Sequence, residues 1–274
     1  MLATAWRPNN GASFDTPVFA VGDVHGQAGA FRRLLSHISS LVALDEDAEL
    51  IQLGDLMDRG PDSLDALDLV FRELPGFRRV TRLPGNHELM LLKALHGTRR
   101  DVALWLMNGG NAVLDEMDLP PRASDHERLR RLRQRLPAGF EETYTTGPTH
   151  VVRHGVLFVH AGLMPGVALA DFMSAPHLGS WSDDHWAWIR EPFLDWRGGW
   201  QAQGLSLVVH GHTPATLTRL ASPEAVEAAL DLSEPLGRIC LDAGAAQLDQ
   251  VAAVEFRGDR HRIHVARATP GPRA

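Results

Sequence analysis

Val18-Phe-Ala-Val-Gly-Asp-Val-His-Gly26 is the stretch that decides the fold. An apolar run that ends in glycine reads as a buried strand. Downstream, Phe31, Leu34, Leu35 and Ile38 recur at helical spacing, Glu49–Leu53 reads as a second strand, Leu64, Leu67 and Val70 mark a second helix, and Arg79–Leu83 is a third strand. A strand–helix–strand–helix–strand opening predicts parallel strands with covering helices. In such sheets ligands gather beyond the carboxyl ends of the strands. The unusual residues lie at those ends: Gly22–Gly26, Gly54-Asp-Leu-Met-Asp-Arg-Gly60 and Gly85-Asn-His-Glu88.

Working outward, the alternation breaks after Glu88. Leu89–His96, Val102–Met107, Ala112–Met117 and residues 125–136 carry helical patterns, and residues 97–150 are expected to form a mainly helical insert at the rim of the cleft. Leu129, Leu132 and Leu136 make one apolar stripe, and arginines fill the opposite face, which reads as a solvated surface. Strands return at Thr149–Arg153, Val156–Val159, Leu205–Val209, Arg238–Leu241 and Val251–Phe256, predicting a second, mixed sheet. Residues 1–16 read as a loose arm, 17–267 as one domain and 268–274 as a flexible tail.

Composition narrows the function. With 27 Lys+Arg against 34 Asp+Glu the net charge is −7, which argues against general nucleic-acid binding. No run approaches the ~20 apolar residues of a membrane span. The first ten residues do not read as a secretory signal, so a cytoplasmic location is expected. The single cysteine, Cys240, excludes an intrachain disulfide and a thiolate metal cluster, and reads as a buried strand residue. Of the 14 histidines, only those in a constellation carry an argument.

That constellation sits at the strand ends: Asp23, His25, Asp55, Asp58, Asn86, His87, His160 and His212. All offer oxygen or imidazole nitrogen, a set that suits Mn²⁺, Fe or Zn²⁺. Adjacent strands lie ~4.8 Å apart, so their ends can meet around a metal pair.

The ordered motifs G-D-V-H-G (22–26), G-D-L-M-D-R-G (54–60), G-N-H-E (85–88), H-A-G (160–162) and G-H-T-P (211–214) resemble the calcineurin-like metallophosphoesterase superfamily. Within it the chain resembles the bacterial branch of the phosphoprotein (serine/threonine) phosphatase family, over roughly residues 17–256. Further likeness lies in Trp105-Leu-Met-Asn-Gly-Gly110 and Leu241-Asp-Ala-Gly-Ala245. The resemblance implies an α/β fold: a mixed β-sheet sandwich flanked by helices, built on the βαβαβ core, with a helical insert. It implies two divalent ions, Mn²⁺ first, with Fe or Zn²⁺ as alternatives. Asp23, His25 and Asp55 would hold one, with Asp55 bridging; Asn86, His160 and His212 would complete the other. It further implies in-line attack by a metal-bridging hydroxide, Arg59 and Arg190 on the phosphate oxygens, His87 as general acid and Asp58 as its orienting partner.

Two departures bear on this. Pro214 stands where many relatives carry a second histidine, so the first ion would have fewer protein ligands. Ala243 replaces a threonine common in its segment, so no catalytic role is placed there. The substrate expected is a phosphorylated protein or small phosphoester. Hydrolysis of diadenosine tetraphosphate is the alternative, and a non-catalytic phosphate-binding module is a third reading. Asp58 and Glu88 favour the first, because the bacterial diadenosine tetraphosphate hydrolases that share these motifs read G-D-x-x-A-R-G, without the acid at position 58, and G-N-H-D rather than G-N-H-E. Trp181, Trp186, Trp188, Trp196 and Trp200 crowd one segment; packing is the first reading, an aromatic wall beside the phosphate the second. Neither nucleic acid nor membrane is expected as a partner, and the oligomeric state is not legible.

Overall fold

Strand β3 shows how the layers are built. In the computed structural model, which describes residues 1–9, 11–42, 47–120, 122–179, 182–230 and 236–268, its side chains alternate between two cores. Phe19 and Val21 pack under helices, while Val18 and Ala20 face a second sheet. Burial on both faces is why this parallel strand reads as an unbroken apolar run.

In chain order the elements are β1 (Leu2–Ala3), β2 (Arg7–Pro8), β3 (Phe14–Val21), α1 (Ala28–Ser40), β4 (Ala48–Gln52), α2 (Ser63–Phe71), β5 (Phe77–Arg82) and α3 (Asn86–His96). Then come α4 (Arg99–Trp105), a π-turn at Leu106–Gly110, α5 (Asn111–Asp115), α6 (Asp125–Arg135), α7 (Phe140–Thr146), β6 (His150–Arg153), β7 (Val156–Val159) and α8 (Leu169–Met173). The chain closes with α9 (Glu191–Leu194), β8 (Leu207–His210), α10 (Pro223–Leu230), β9 (Arg238–Cys240), β10 (Gln250–Gly258) and β11 (Arg260–Arg267).

One sheet runs β1-β11-β10-β3-β4-β5, with β2 also on β11; the other runs β6-β7-β8-β9. The pairs β3/β4 and β4/β5 are parallel, as the opening of the sequence predicts, while β10 joins β3 antiparallel. In the second sheet β7/β8 and β8/β9 are parallel and β6/β7 antiparallel. The fold is thus two mixed sheets face to face, flanked by helices. No described helix is long and apolar enough to cross a membrane.

Two expectations are corrected, and one strand was missed. Residues 1–16 are no loose arm: Leu2 and Ala3 pair with Val265 and His264, Arg7 and Pro8 pair with His261 and Arg260, and Phe14 is buried in β3. Two-residue strands have no period to read, and their partner lies at the far end of the chain. Val251–Phe256 is part of β10 in the first sheet, not the second. Strand β11 went unpredicted because arginines and histidines hide its pattern, although Ile263 and Val265 are buried. Of the proposed tail 268–274, Ala268 is held, its N–H donating to the Asp249 carbonyl at 2.9 Å, and the rest lies outside the described residues, as does Trp181.

Candidate metal centre

The cluster forms where both sheets present the ends of parallel strands. β3 leads to Asp23 and His25, β4 to Asp55, Asp58 and Arg59, and β5 to Asn86 and His87 at the start of α3. From the second sheet, β7 leads to His160 and β8 to His212. All the proposed site residues except Arg59 and Arg190 are buried; those two arginines stand exposed at the rim.

The approach is very close. A Cβ on Gly85 would lie 2.2 Å from Asp55 Oδ1, and one on Gly211 would lie 2.0 Å from Asp23 Oδ1. Glycine is required at both positions. Backbone strain is concentrated here too. Among the described residues His25, Asp55, Asp58, Arg59 and His212 have φ between 43° and 71°, and His154 is the one other non-glycine residue with positive φ.

Donor atoms of Asp55, His160 and His212 lie within 4.8 Å of one another, and so do those of His25, Asp55 and His87. Asp55 belongs to both groups. His25 Nε2 is 3.6 Å from Asp55 Oδ2 and 3.9 Å from Asp23 Oδ2. His160 Nε2 is 3.5 Å from Asp55 Oδ1 and 3.1 Å from Asn86 Oδ1, which also lies 2.8 Å from His212 Nδ1.

The tautomers explain what this set is for. His25 Nδ1 donates to the Met57 carbonyl at 3.0 Å, and His160 Nδ1 donates to the Leu53 carbonyl at 2.8 Å. Each neutral ring therefore turns an Nε2 lone pair toward carboxylate and amide oxygens, acceptor against acceptor. A cation between them resolves that conflict, and backbone-anchored imidazole is a common metal-site arrangement. Burial keeps the rings neutral: the pKa of His25 falls to about 3, that of His160 is lowered, and that of His212 falls well below the usual value. Burial together with Asp242 and Asp55 pushes the Asp23 carboxyl up. The residues present fit a pair of divalent ions.

His87 is different. Burial pushes its pKa down, but Asp55 and the hydrogen-bonded Asp58 carboxylate outweigh burial and raise it. Its Nδ1 donates to Asp58 Oδ2 at 2.7 Å, and its buried Nε2 has no protein partner. At the rim, Arg190 Nη1 donates to Thr213 Oγ1 at 2.9 Å. Arg59 Nε donates to the Asn108 carbonyl at 3.2 Å.

Two residues with no role assigned from sequence support this centre. Glu88, wholly buried, accepts from Asp55 N and Leu56 N, both at 2.8 Å, and from Gly85 N at 2.9 Å. It ties the loop after β4 to the start of α3. Trp105 Nε1 donates to both Asp58 oxygens, at 3.1 and 3.0 Å. The motif G-N-H-E contains the first; only the local W-L-M-N-G-G likeness hints at the second. Other expectations resolve simply. Trp186 and Trp200 are core residues, which removes them from any aromatic wall, and Cys240 is buried. On α6, Arg130 and Arg131 pair with Glu127, and Arg133 pairs with Glu141.

Two overlapping donor sets that share one carboxylate, at the strand ends of a mixed α/β sandwich, define a metal-dependent hydrolase. The chain belongs to the calcineurin-like phosphoesterase family, whose description matches residues 16–239, and whose members are dinuclear metal-dependent enzymes. It is 32% identical over 201 residues to serine/threonine-protein phosphatase 1 of Salmonella typhimurium strain LT2, covering 72% of this chain and 78% of that one. It is 31% identical over 176 residues to the symmetrical bis(5'-nucleosyl)-tetraphosphatase of Paracidovorax citrulli, covering 61% of this chain and 59% of that one. Its fold is similar to that of a cold-active protein-tyrosine phosphatase of a psychrophilic Shewanella, with a TM-score of 0.53 at 16% identity over 93% of this chain and 80% of that one.

Proposed function

We propose that the chain is a phosphomonoesterase of the serine/threonine protein phosphatase type, acting on a cytoplasmic phosphoprotein. The observation that carries this reading is the buried Asp58–His87 pair beside Asp55. Asp58 accepts from His87 Nδ1 at 2.7 Å, which favours the imidazolium form and leaves the buried Nε2, without a protein partner, as the proton donor of the site. A serine alkoxide is a poor leaving group and needs that proton.

In this reading Asp23, His25 and Asp55 hold one divalent ion, and Asn86, His160 and His212, sharing Asp55, hold the other. The oxygen and nitrogen donors suit Mn²⁺, with Fe or Zn²⁺ as alternatives. When bound, the two ions supply water activation and neutralise charge on the phosphate. Arg59 and Arg190, exposed at the rim, grip the remaining phosphate oxygens through planar guanidinium contacts. Asp58 orients His87 through Nδ1, and His87 delivers a proton from Nε2 to the leaving oxygen.

The 31% identical tetraphosphatase supports a second reading, in which a nucleoside diphosphate leaves and the acid matters less. Mn²⁺-dependent phosphate release from a phosphoserine peptide, run beside diadenosine tetraphosphate cleavage, separates them. Efficient peptide turnover with negligible dinucleotide cleavage is expected. The reverse result moves the substrate to nucleotides and overturns the proposal.

A further inference from the structure

We propose that Trp105 is a positioning residue for the Asp58–His87 pair: its indole N–H fixes the plane of the Asp58 carboxylate and thereby aims His87 Nε2 at the leaving oxygen. The inference rests on the proton-donor reading of His87. Trp105 belongs to α4, outside the strand-end loops that supply every other site residue placed so far except Arg190. Yet it is fully buried, and its Nε1 lies 3.1 and 3.0 Å from the two Asp58 oxygens. Oδ2 also accepts from His87 at 2.7 Å. A carboxylate held by one imidazole alone can rotate about its Cβ–Cγ bond. A second donor centred on both oxygens removes that freedom.

The neighbouring turn is shaped around these contacts. A Cβ on Gly110 would lie 2.3 Å from Trp105 Cε2, so the indole lies directly against that backbone. A Cβ on Gly109 would lie 2.5 Å from Arg59 Cγ. The carbonyls of Asn108 and Gly109 accept from Arg59 Nε and the Arg59 backbone N–H at 3.2 and 3.1 Å. One turn, Trp105–Gly110, thus touches both the proton-donating pair and a phosphate-binding arginine. An apolar filler such as phenylalanine would pack in the same place; the N–H directed at a buried carboxylate is what phenylalanine lacks.

The test compares Trp105→Phe with a protein carrying benzothienylalanine at position 105, an indole isostere with sulfur in place of N–H. Both are assayed with Mn²⁺ on a phosphoserine peptide and on p-nitrophenyl phosphate, with His87→Asn in parallel. The expected result is a fall of about 10-fold or more in kcat for the peptide, with KM within about twofold and p-nitrophenyl phosphate turnover within about threefold, because nitrophenolate leaves unaided. The downfield proton resonance of His87 Nδ1 should move in both proteins, and metal content should not. If His87→Asn slows the peptide selectively while both position-105 proteins behave as wild type, or lose equally on the two substrates, Trp105 is structural and the proposal fails. If His87→Asn itself slows both substrates equally, the underlying proton-donor reading fails instead.

Discussion

Two buried clusters of carboxylate and imidazole sit in this fold, and they are built on opposite principles. At the strand ends, Asp23 and Asp55 face His25, and Asp55 and Asn86 face His160, with lone pair toward lone pair. On the first sheet, Glu255 accepts from Arg262 Nε at 2.8 Å, from His264 Nε2 at 3.0 Å and from Arg257 Nε at 3.2 Å. Burial pushes the Glu255 carboxyl up, but the bonds from His264 and Arg262 outweigh it and hold the pKa at about 2. The second cluster is closed: protein donors satisfy its charge. The first presents charge and lone pairs to a shared centre. A buried carboxylate–imidazole group is thus structural or metal-binding according to where its N–H groups point.

Asp55→Asn breaks the comparison most strongly. It removes the shared carboxylate, and turnover should fall on the order of 10⁴-fold while bound metal drops from both positions together; retained double occupancy by elemental analysis refutes the bridging role. Glu255→Gln should leave metal content and turnover unchanged and cost on the order of 3 kcal/mol of folding stability at neutral pH. Its folded pKa is depressed, so that stability is present above the unfolded value of about 4.3 and is lost as pH falls toward about 2. Denaturant titrations of both proteins should therefore converge in acid; a constant gap from pH 7 to 3 speaks against the ion network. Glu88→Gln lies between the two. A glutamine has one acceptor oxygen for three backbone N–H groups, so the loop after β4 should loosen and metal affinity fall about 10–100-fold by calorimetry. Unchanged affinity makes Glu88 a helix-start residue only. Arg130→Ala should move stability by no more than about 0.5 kcal/mol, because Arg130 is exposed and its partner Glu127 is a partly exposed neighbour on the same helix; a larger loss in thermal melts means the α6 arginines do more than solvate a face.

Much of this was legible in the sequence, for identifiable reasons. The βαβαβ opening shows because β3 and β4 are buried on both faces and α1 on one, so Val18–Val21 and the Phe31–Ile38 pattern each carry a period. The ligand-competent residues show because they follow those strands directly, each group flanked by glycine. The supporting contacts do not. Nothing in a string of letters says that Glu88 reaches back to Leu56, that Trp105 crosses from the insert to Asp58, or that five site residues adopt left-handed backbone. These depend on contacts 32 or 47 residues apart and on φ values that side-chain type alone disfavours. Likewise Glu255 and His264 are ordinary letters nine apart until β10 and β11 pair.

The corrected N-terminus has a consequence for how molecules of this protein meet. Leu2–Ala3 and Arg7–Pro8 cover both ends of β11, the outermost long strand of the first sheet. An uncovered strand edge is a template for pairing with another chain, and a proline there cannot donate to a newcomer. Removing residues 1–9 leaves the metal centre intact in its own loops but bares that edge. The truncated protein should fail first by self-association, seen as concentration-dependent light scattering, rather than by loss of chemistry. These few residues act as a selvedge: they belong to the sheet so that nothing else does.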